Sequence, residues 1–169
     1  NLLAFVWVID FPMFEFKPGD KRWAAMHHPF TQPVEADLPL VESGQLEKVR
    51  ANQYDLAING WEVGGGSLRI TDPKVQELIF HALGHTKEEI GVKFGHLLEA
   101  FKYGVPPHGG IALGFDRLVA TIMGETNVRE VIAFPATGGG ITAVMEAPTT
   151  VEKEILDEAG IQIKPQLEV

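Results

Sequence analysis

The segment NGWEVGGGSLRI, residues 59–70, constrains the fold more than any other part of the sequence. Its ends are rich in apolar strand formers, whereas its centre is a run of three glycines, which weaken strands. Glu62 and Arg69 flank the glycines and are an odd number of residues apart. A regular strand would therefore send the two charges to opposite faces. If both serve one pocket, the backbone must slip by one residue, and we predict a bulge or sharp bend within Gly64–Gly66.

The composition limits the class of protein. The chain has 169 residues, of which 45% are hydrophobic, enough for one domain with a core, and we expect a single domain over residues 1–169. Its formal net charge is −9 and it has no run of Lys or Arg, which argues against strong nucleic-acid binding by this chain alone. It has no cysteine, which excludes disulfides and thiolate zinc sites. No stretch approaches the roughly 20 apolar residues of a membrane span.

The order of predicted elements indicates an α+β fold with a mostly antiparallel sheet and flanking helices. Strands are predicted at 2–9, 54–59, 61–71, 110–114 and 131–134, with a hairpin turn at 16–23. Asn59–Gly60 is predicted as a turn or bulge between the strands at 54–59 and 61–71. Helices are predicted at 45–51, from a cap at Asp72 to Gly84, from a capping box at Thr86 and Glu89 to about 102, and at 116–123 and 151–159. Residues 27–40 contain three prolines and are expected to form an irregular surface loop.

The stretch GGIALGFDRL, residues 109–118, combines a bare strand with a charged helix start. Gly110, Ala112 and Gly114 share one strand face, which leaves a flat floor for a planar ring or another backbone. Asp116 and Arg117 fall in the first helical turn, where free N–H groups and a guanidinium favour phosphate. One interpretation is a nucleotide on the floor with its phosphates at Arg117. The other is a tightly packed strand–helix corner with a surface arginine.

Residues 62–69 also allow two interpretations. Gly64 and Gly66 would make a second bare patch, Glu62 could hold Mg²⁺, and Arg69 could bind a carboxylate through two hydrogen bonds. Alternatively, the segment is an edge strand with a bulge and an ordinary cross-strand ion pair.

The histidines are less informative. HHPF, which starts at His27, lies in a proline-rich loop and could bind a substrate carboxylate or lie at the surface. His81 and His85 lack the glutamate of the metalloprotease pattern and are interpreted as structural, as is His96. The sequence also contains no P-loop, dinucleotide fingerprint or nucleophile elbow.

Five segments in order resemble the C-terminal part of the catalytic domain of bacterial-type aspartyl-tRNA synthetases, which are class II synthetases. They read AFVWVIDFPMFEF, MHHPFTQP, YDLAINGWEVGGGSLRI, KFGHLLEAFKYGVPPHGGIALGFDRLVATIMG and VREVIAFP. The resemblance is dense over residues 2–135 and looser in the tail. It implies ATP-dependent activation of L-aspartate to aspartyl-adenylate, followed by transfer to the terminal adenosine of tRNA.

The resemblance also implies roles for individual residues. Glu62 matches an acid that binds ATP through Mg²⁺, and Arg69 matches the arginine that recognises the side-chain carboxylate of aspartate. A histidine of HHPF matches an aspartate-site residue, for which His28 is favoured over His27. The ATP-binding segment would be Gly114, Phe115, Asp116 and Arg117. Arg117 would contact the γ-phosphate, and Glu62 and Arg117 would be the catalytic residues.

The partners implied are L-aspartate, ATP with Mg²⁺, and tRNA held mainly by domains outside this chain. The full-length protein would be a cytoplasmic homodimer with no membrane association. The sequence has no equivalent of the first two class II motifs or of an anticodon-binding domain, so we expect this chain to be inactive alone. Two other functions stay open from the sequence, a tRNA-free class II synthetase-like asparagine synthetase and a non-catalytic ligand- or partner-binding paralogue.

Overall fold

A computed structural model describes residues 2–142 and 144–164 of the protein. The backbone forms two compact units, Asn1–Thr126 and Asn127–Val169. A single domain over the whole chain stays a prediction. The β-strands are β1 (Phe5–Val8), β2 (Phe11–Pro12), β3 (Phe14–Lys17), β4 (Arg22–Ala25), β5 (Arg50–Ala51), β6 (Gln53–Ile58), β7 (Trp61–Leu68) and β8 (Gly109–Leu113). The α-helices are α1 (Leu38–Glu42), α2 (Pro73–Ala82), α3 (Lys87–Phe101), α4 (Phe115–Met123) and α5 (Lys153–Glu158).

The first unit is organised around an antiparallel sheet with the strand order β1-β6-β7-β8. The turn between β6 and β7 is Asn59–Gly60, with φ angles of 51° and 85°. Asn-Gly suits this hairpin because a type I′ turn requires positive φ at both central residues. The predicted α+β fold, an antiparallel sheet with flanking helices, is confirmed.

The predicted slip of the backbone occurs in β7, one residue earlier than expected. Glu62 pairs with Ala57 of β6, and Gly64 pairs with Leu56, so Val63 is the extra residue of a β-bulge. The bulge therefore precedes the glycines and does not lie within them. Its effect is the predicted one, because one extra residue changes which face every later side chain of the strand occupies.

The bulge places Glu62, Gly65 and Ser67 on one face of the sheet, which we call the Glu62 face. Gly65 lies opposite Ala112 of β8, and Ser67 lies opposite Gly110. Directly opposed residues of an antiparallel pair share a face, so Gly110 and Ala112 of the predicted floor belong to the Glu62 face. Gly114, the third residue of that floor, lies outside β8 and caps α4. A Cβ built on Gly110 meets no atom within 4 Å, so this part of the face is open.

Gly64 and Gly66 do not form the bare patch expected from the sequence, because both point away from the Glu62 face. A Cβ on Gly64 would lie 2.7 Å from Cδ2 of Leu113, and one on Gly66 would lie 1.8 Å from the main-chain oxygen of Gly110. These glycines instead allow β7 and β8 to approach closely. Gly65 is the member of the triplet that belongs to the Glu62 face.

The main hydrophobic core of the first unit lies beside the central sheet. Its buried members come from β3, α1, β5, α2 and the segments between them, namely Met13, Phe14, Val41, Leu46, Val49, Ala51, Ile70 and Ile79. The expectation of a buried strand at 2–9 is wrong in its burial, since all residues of β1 are exposed. An apolar run predicts a strand, but burial depends on which elements cover it.

Local signals at helix ends are confirmed. The Asp72 side chain accepts from the N–H of Lys74 at the start of α2. Thr86 and Glu89 form the predicted capping box of α3. The helix α2 ends at Ala82, and Gly84, the predicted end signal, has a φ of 89°, the left-handed conformation that glycine adopts at little cost.

Three other predicted segments are corrected. The helix expected at 45–51 is a 3₁₀ turn, Leu46–Lys48, followed by β5. The strand expected at 131–134 is absent: Val131 ends a 3₁₀ turn, Val128–Val131, which the Asn127 side chain caps by accepting from the N–H of Arg129. Residues 132–134 that follow are bends, and Phe134 has a φ of 57°, which is incompatible with an extended strand. The surface loop expected at 27–40 contains buried residues, a 3₁₀ turn at Glu35–Asp37 and the start of α1. Within the described residues, no helix is long and apolar enough to cross a membrane.

Candidate active site

The loop that carries His28 is fixed directly to the end of β7. Thr31 forms an antiparallel bridge with Arg69. The amide Nε2 of Gln76, a fully buried residue of α2, donates to the main-chain oxygen of Pro29 at 2.8 Å. Both contacts restrain the backbone just C-terminal to His28, so two different elements hold the loop next to the histidine.

His28 and Arg69 form the first cluster of predicted site residues. The Nη1 atom of Arg69 lies 3.1 Å from Nδ1 of His28 and also contacts Nε2. Partial burial, together with the positive charges of Arg69 and His27, lowers the pKa of His28 from 6.5 to about 4. His28 is therefore neutral at neutral pH, and the net positive charge at this point comes from Arg69.

Glu62 and Arg117 form the second cluster, at the opposite end of β7. Nη1 of Arg117 donates to the main-chain oxygen of Glu62 at 3.0 Å and lies 4.0 Å from its carboxylate Oε2. The N–H of Gly114 donates to the oxygen of Val63 at 2.8 Å. The start of α4 is therefore attached to the two carbonyl groups at the bulge, which brings Arg117 to the acid.

Asp55 is a second carboxylate of this cluster that sequence reasoning missed. Asp55 lies opposite Gly65, and the position of a Cβ on Gly65 would be 2.6 Å from Oδ1 of Asp55 and 3.7 Å from Oε1 of Glu62. The absence of a side chain at Gly65 gives both carboxylates room. The sequence contained a signal, because the Asn59–Gly60 turn sets a hairpin register that already places Asp55 and Glu62 on one face.

The other predicted ATP-binding residues lie at the start of α4. Gly114 precedes the helix, and Phe115 and Asp116 occupy its first turn. The first N–H groups of a helix have no partner within it, which suits an anion. Phe115 is 75% exposed, so its ring is available as an apolar surface next to these N–H groups.

The two clusters share the Glu62 face. One end of β7 carries an arginine with a neutral histidine, and the other carries two carboxylates with an arginine. The open floor of Gly110 and the exposed Ala112 lies between them, whereas the carboxylate of Asp55 occupies the space above Gly65. A ligand with a carboxylate at one end and phosphates at the other would match this order of charges.

A metal site formed by the protein alone is not found among residues 2–142 and 144–164, which contain no group of three or more candidate ligands. Asp55 and Glu62 nevertheless fit Mg²⁺, because this ion commonly binds one or two carboxylates and completes its shell with phosphates and water.

An antiparallel sheet with flanking helices is the fold of a class II aminoacyl-tRNA synthetase. The sequence model of the family described as tRNA synthetases class II (D, K and N) matches residues 1–138. The chain belongs to this family.

Curated relatives agree with this assignment. The chain is 51% identical over 162 residues to the aspartate–tRNA(Asp/Asn) ligase of Geobacillus sp. (strain WCH70), covering 96% of this chain and 27% of that protein. It is 54% identical over 155 residues to the aspartate–tRNA ligase of Pseudothermotoga lettingae, covering 92% of this chain and 26% of that protein. The chain therefore spans about a quarter of the length of these relatives.

A solved structure supports the fold. The aspartyl-tRNA synthetase of Entamoeba histolytica aligns with a TM-score of 0.59 at 24% identity, over 82% of this chain and 23% of that one. At this level of identity the likeness concerns the fold alone.

Proposed function

We propose that this chain is the C-terminal part of the catalytic domain of an aspartate–tRNA ligase. The enzyme would activate L-aspartate with ATP to aspartyl-adenylate and transfer the aspartyl group to tRNA. The observation that carries the proposal is the bulge at Val63, which puts Glu62 and Arg69 on one face with an open floor between them. The names of the curated relatives support the same reaction.

Arg69 and His28 would bind the side-chain carboxylate of aspartate. The guanidinium of Arg69 offers two parallel donors to a carboxylate, and neutral His28 offers one more. A lysine substrate would place a second positive charge against Arg69, which disfavours it. Asparagine would offer an uncharged amide with one acceptor, so it would lose one charge-assisted hydrogen bond.

Glu62, Gly114, Phe115, Asp116 and Arg117 would bind ATP, with Arg117 at the γ-phosphate. Asp55 joins them in this proposal, because its carboxylate lies beside that of Glu62. These two carboxylates would hold Mg²⁺, which, when bound, would neutralise charge on the phosphates.

The chemistry requires positioning more than proton transfer. The α-carboxylate of aspartate is itself the nucleophile and attacks the α-phosphate of ATP, so no general base is needed. The protein would hold two anions close together and offset their repulsion with Arg69 and Arg117. Groups fixed by the sheet act without reorganising during the reaction, which makes their charges more effective.

The remaining partners form part of the same proposal. tRNA would bind mainly through parts of the enzyme outside this chain, since the chain has a net charge of −9. We propose a homodimeric, cytoplasmic enzyme. The relatives do not favour a tRNA-free asparagine synthetase or a non-catalytic paralogue, because those reported above are named as ligases of aspartate and tRNA.

The test uses a full-length synthetase that contains this chain. Labelled aspartate, asparagine and lysine are each offered with ATP and unfractionated tRNA, and acid-precipitable label is counted. We expect label on tRNA from aspartate alone, destroyed by ribonuclease. Charging of lysine or asparagine at a comparable rate would contradict the assignment of Arg69. Formation of free asparagine from aspartate and ammonia without tRNA would indicate the asparagine synthetase.

A further inference from the structure

His28 is the first residue of a tight turn, which we call the His28 turn. Its main-chain oxygen accepts from the N–H of Thr31 at 3.2 Å. This bond closes a β-turn whose two central residues are Pro29 and Phe30. Proline suits the second position of a β-turn because its ring fixes φ. The N–H of Ile70, which follows β7, donates to the oxygen of Phe30 at 3.0 Å, so the far side of the turn is attached to the end of β7.

The central peptide group of the His28 turn, which joins Pro29 to Phe30, has a partner at each end. Its oxygen accepts from Nε2 of Gln76 at 2.8 Å. Its nitrogen, on the opposite side, lies 3.3 Å from Nδ1 of His28. A main-chain oxygen can only accept, so the atom of Gln76 that faces it is the amide nitrogen. Because Gln76 is 0% exposed, one peptide group connects a fully buried side chain of α2 to the ring of His28.

The other hydrogen bonds of the turn do not oppose tilting of this central peptide. Type I and type II turns share the closing bond and differ in the orientation of the central peptide. A complete flip would give Phe30 a positive φ, which is unfavourable for a residue with a side chain. Smaller rotations need no such change, and they would move the N–H that lies at the ring of His28. The hydrogen bond from Gln76 opposes these rotations because it acts on the oxygen that would move.

We propose that Gln76 is a positioning residue of the carboxylate site, which holds the central peptide of the His28 turn and thereby keeps the ring of His28 beside Arg69. Nη1 of Arg69 lies 3.1 Å from Nδ1 of His28, so a small displacement of the turn would separate the two groups. The identity of the bound carboxylate rests on the proposed function. The position of His28 does not, because it follows from contacts within the chain.

The first test measures the surroundings of His28 in this chain by NMR titration of its labelled imidazole ring. Burial first, and then the positive charges of Arg69 and His27, lower the pKa of His28 to about 4. Gln76→Met keeps an unbranched side chain but cannot donate, so the ring should move away from Arg69 and its pKa should rise toward 6.5. Ile79→Val is the matched control, because Ile79 is a fully buried core residue of the same helix, and it should leave the pKa of His28 as in wild type.

The titration has three outcomes that overturn the proposal. The signals of His28 are identified as those lost in His28→Gln. A wild-type pKa of His28 near 6.5 would show that the ring is not held in the described position, even if Gln76→Met does not fold. An unchanged pKa in folded Gln76→Met would show that the hydrogen bond does not position the ring. An equal rise in Ile79→Val would indicate a general loosening of the core.

A second measurement concerns the reaction in the full-length synthetase. Gln76→Met should raise the KM for aspartate about tenfold, as for the loss of one hydrogen bond, and leave kcat and the KM for ATP within about twofold. Ile79→Val should retain the wild-type values. An unchanged KM for aspartate in Gln76→Met, or an equal rise in the KM for ATP, overturns the proposal. If the wild-type enzyme fails to charge aspartate, the proposed function fails, and the titration of His28 still judges Gln76 separately.

Discussion

Arg117 donates a hydrogen bond from Nη1 to the main-chain oxygen of Glu62 over 3.0 Å, although the two residues are 55 positions apart in the chain. The carboxylate of Glu62 is 4.0 Å from the same nitrogen. Both side chains are more than half exposed, so their ion pair contributes little to stability. Its consequence is geometric, since it holds a guanidinium beside an acid at the edge of an open floor.

This geometry predicts a specific defect for Arg117→Ala. In the full-length synthetase, loss of a guanidinium that neutralises phosphate should raise the KM for ATP by about 10- to 100-fold and leave the KM for aspartate nearly unchanged. Initial rates of ATP–pyrophosphate exchange at varied ATP measure the effect. Arg22→Ala is the matched control, because Arg22 is an exposed arginine on the β3–β4 hairpin. Unchanged ATP dependence in Arg117→Ala would remove this residue from the site.

A substitution at Arg69 is expected to weaken aspartate binding and not ATP binding, the reverse of the effect at Arg117. Arg69→Leu removes two charge-assisted hydrogen bonds to the aspartate carboxylate, so aspartate should bind about 100-fold more weakly and ATP should bind nearly as in wild type. Exchange rates at varied aspartate, with ATP saturating, give the aspartate value. Equal losses for the two substrates would contradict the assignment, because they would indicate a general distortion of β7.

The sequence alone predicted those structural features whose determining contacts are local. The Asn59–Gly60 turn and the caps of α2 and α3 depend on residues a few positions apart, and these were predicted correctly. The exact position of the bulge was not predicted from the sequence. The carbonyl groups beside it accept hydrogen bonds from Gly114 and Arg117, which lie far along the chain. A slip of one residue exchanges the two faces of the strand, so the wrong glycines were assigned to the floor.

The glycines provide a test of these faces within the isolated chain. Gly66→Ala would place a Cβ 1.8 Å from the main-chain oxygen of Gly110, and backbone cannot move aside cheaply. We expect a loss of about 3 kcal/mol in the free energy of unfolding, as in overpacked cores. Gly110→Ala is the matched control, since its Cβ meets no atom within 4 Å. It should change the free energy of unfolding by no more than about 1 kcal/mol.

The two glycine variants also separate packing from ligand binding. In the full-length synthetase, Gly110→Ala should fold normally but weaken ATP binding, because the new methyl group stands on the floor of the Glu62 face. Urea titrations give the stability, and exchange kinetics give the KM for ATP. Similar stability of Gly66→Ala and Gly110→Ala would show that the register of β7 and β8 is not the one described.

The lowered pKa of His28 predicts how the stability of the folded chain depends on pH. Its pKa is about 4 in the folded chain, against 6.5 ordinarily. On acidification below pH 6.5, the unfolded chain binds a proton that the folded chain resists until about pH 4, so stability falls through this window. Above pH 6.5, His28 is neutral in both the folded and the unfolded chain, so it causes no loss of stability there. The cause is burial first and the charge of Arg69 second, so His28→Gln should remove this contribution.

The measurement compares urea midpoints at about pH 7.5 and about pH 5. The pKa values of Asp37 and Glu89 are also lowered, the first by hydrogen bonds from Arg50 and the second by the main-chain N–H of Thr86. The stability they add is lost only as pH falls below the ordinary carboxyl range, so they remain ionised at both pH values. Wild type should therefore lose stability between the two conditions, and His28→Gln should lose less. His96→Gln, an exposed position on α3, should behave as wild type, and an equal loss in all three would show that His28 is not the titrating group.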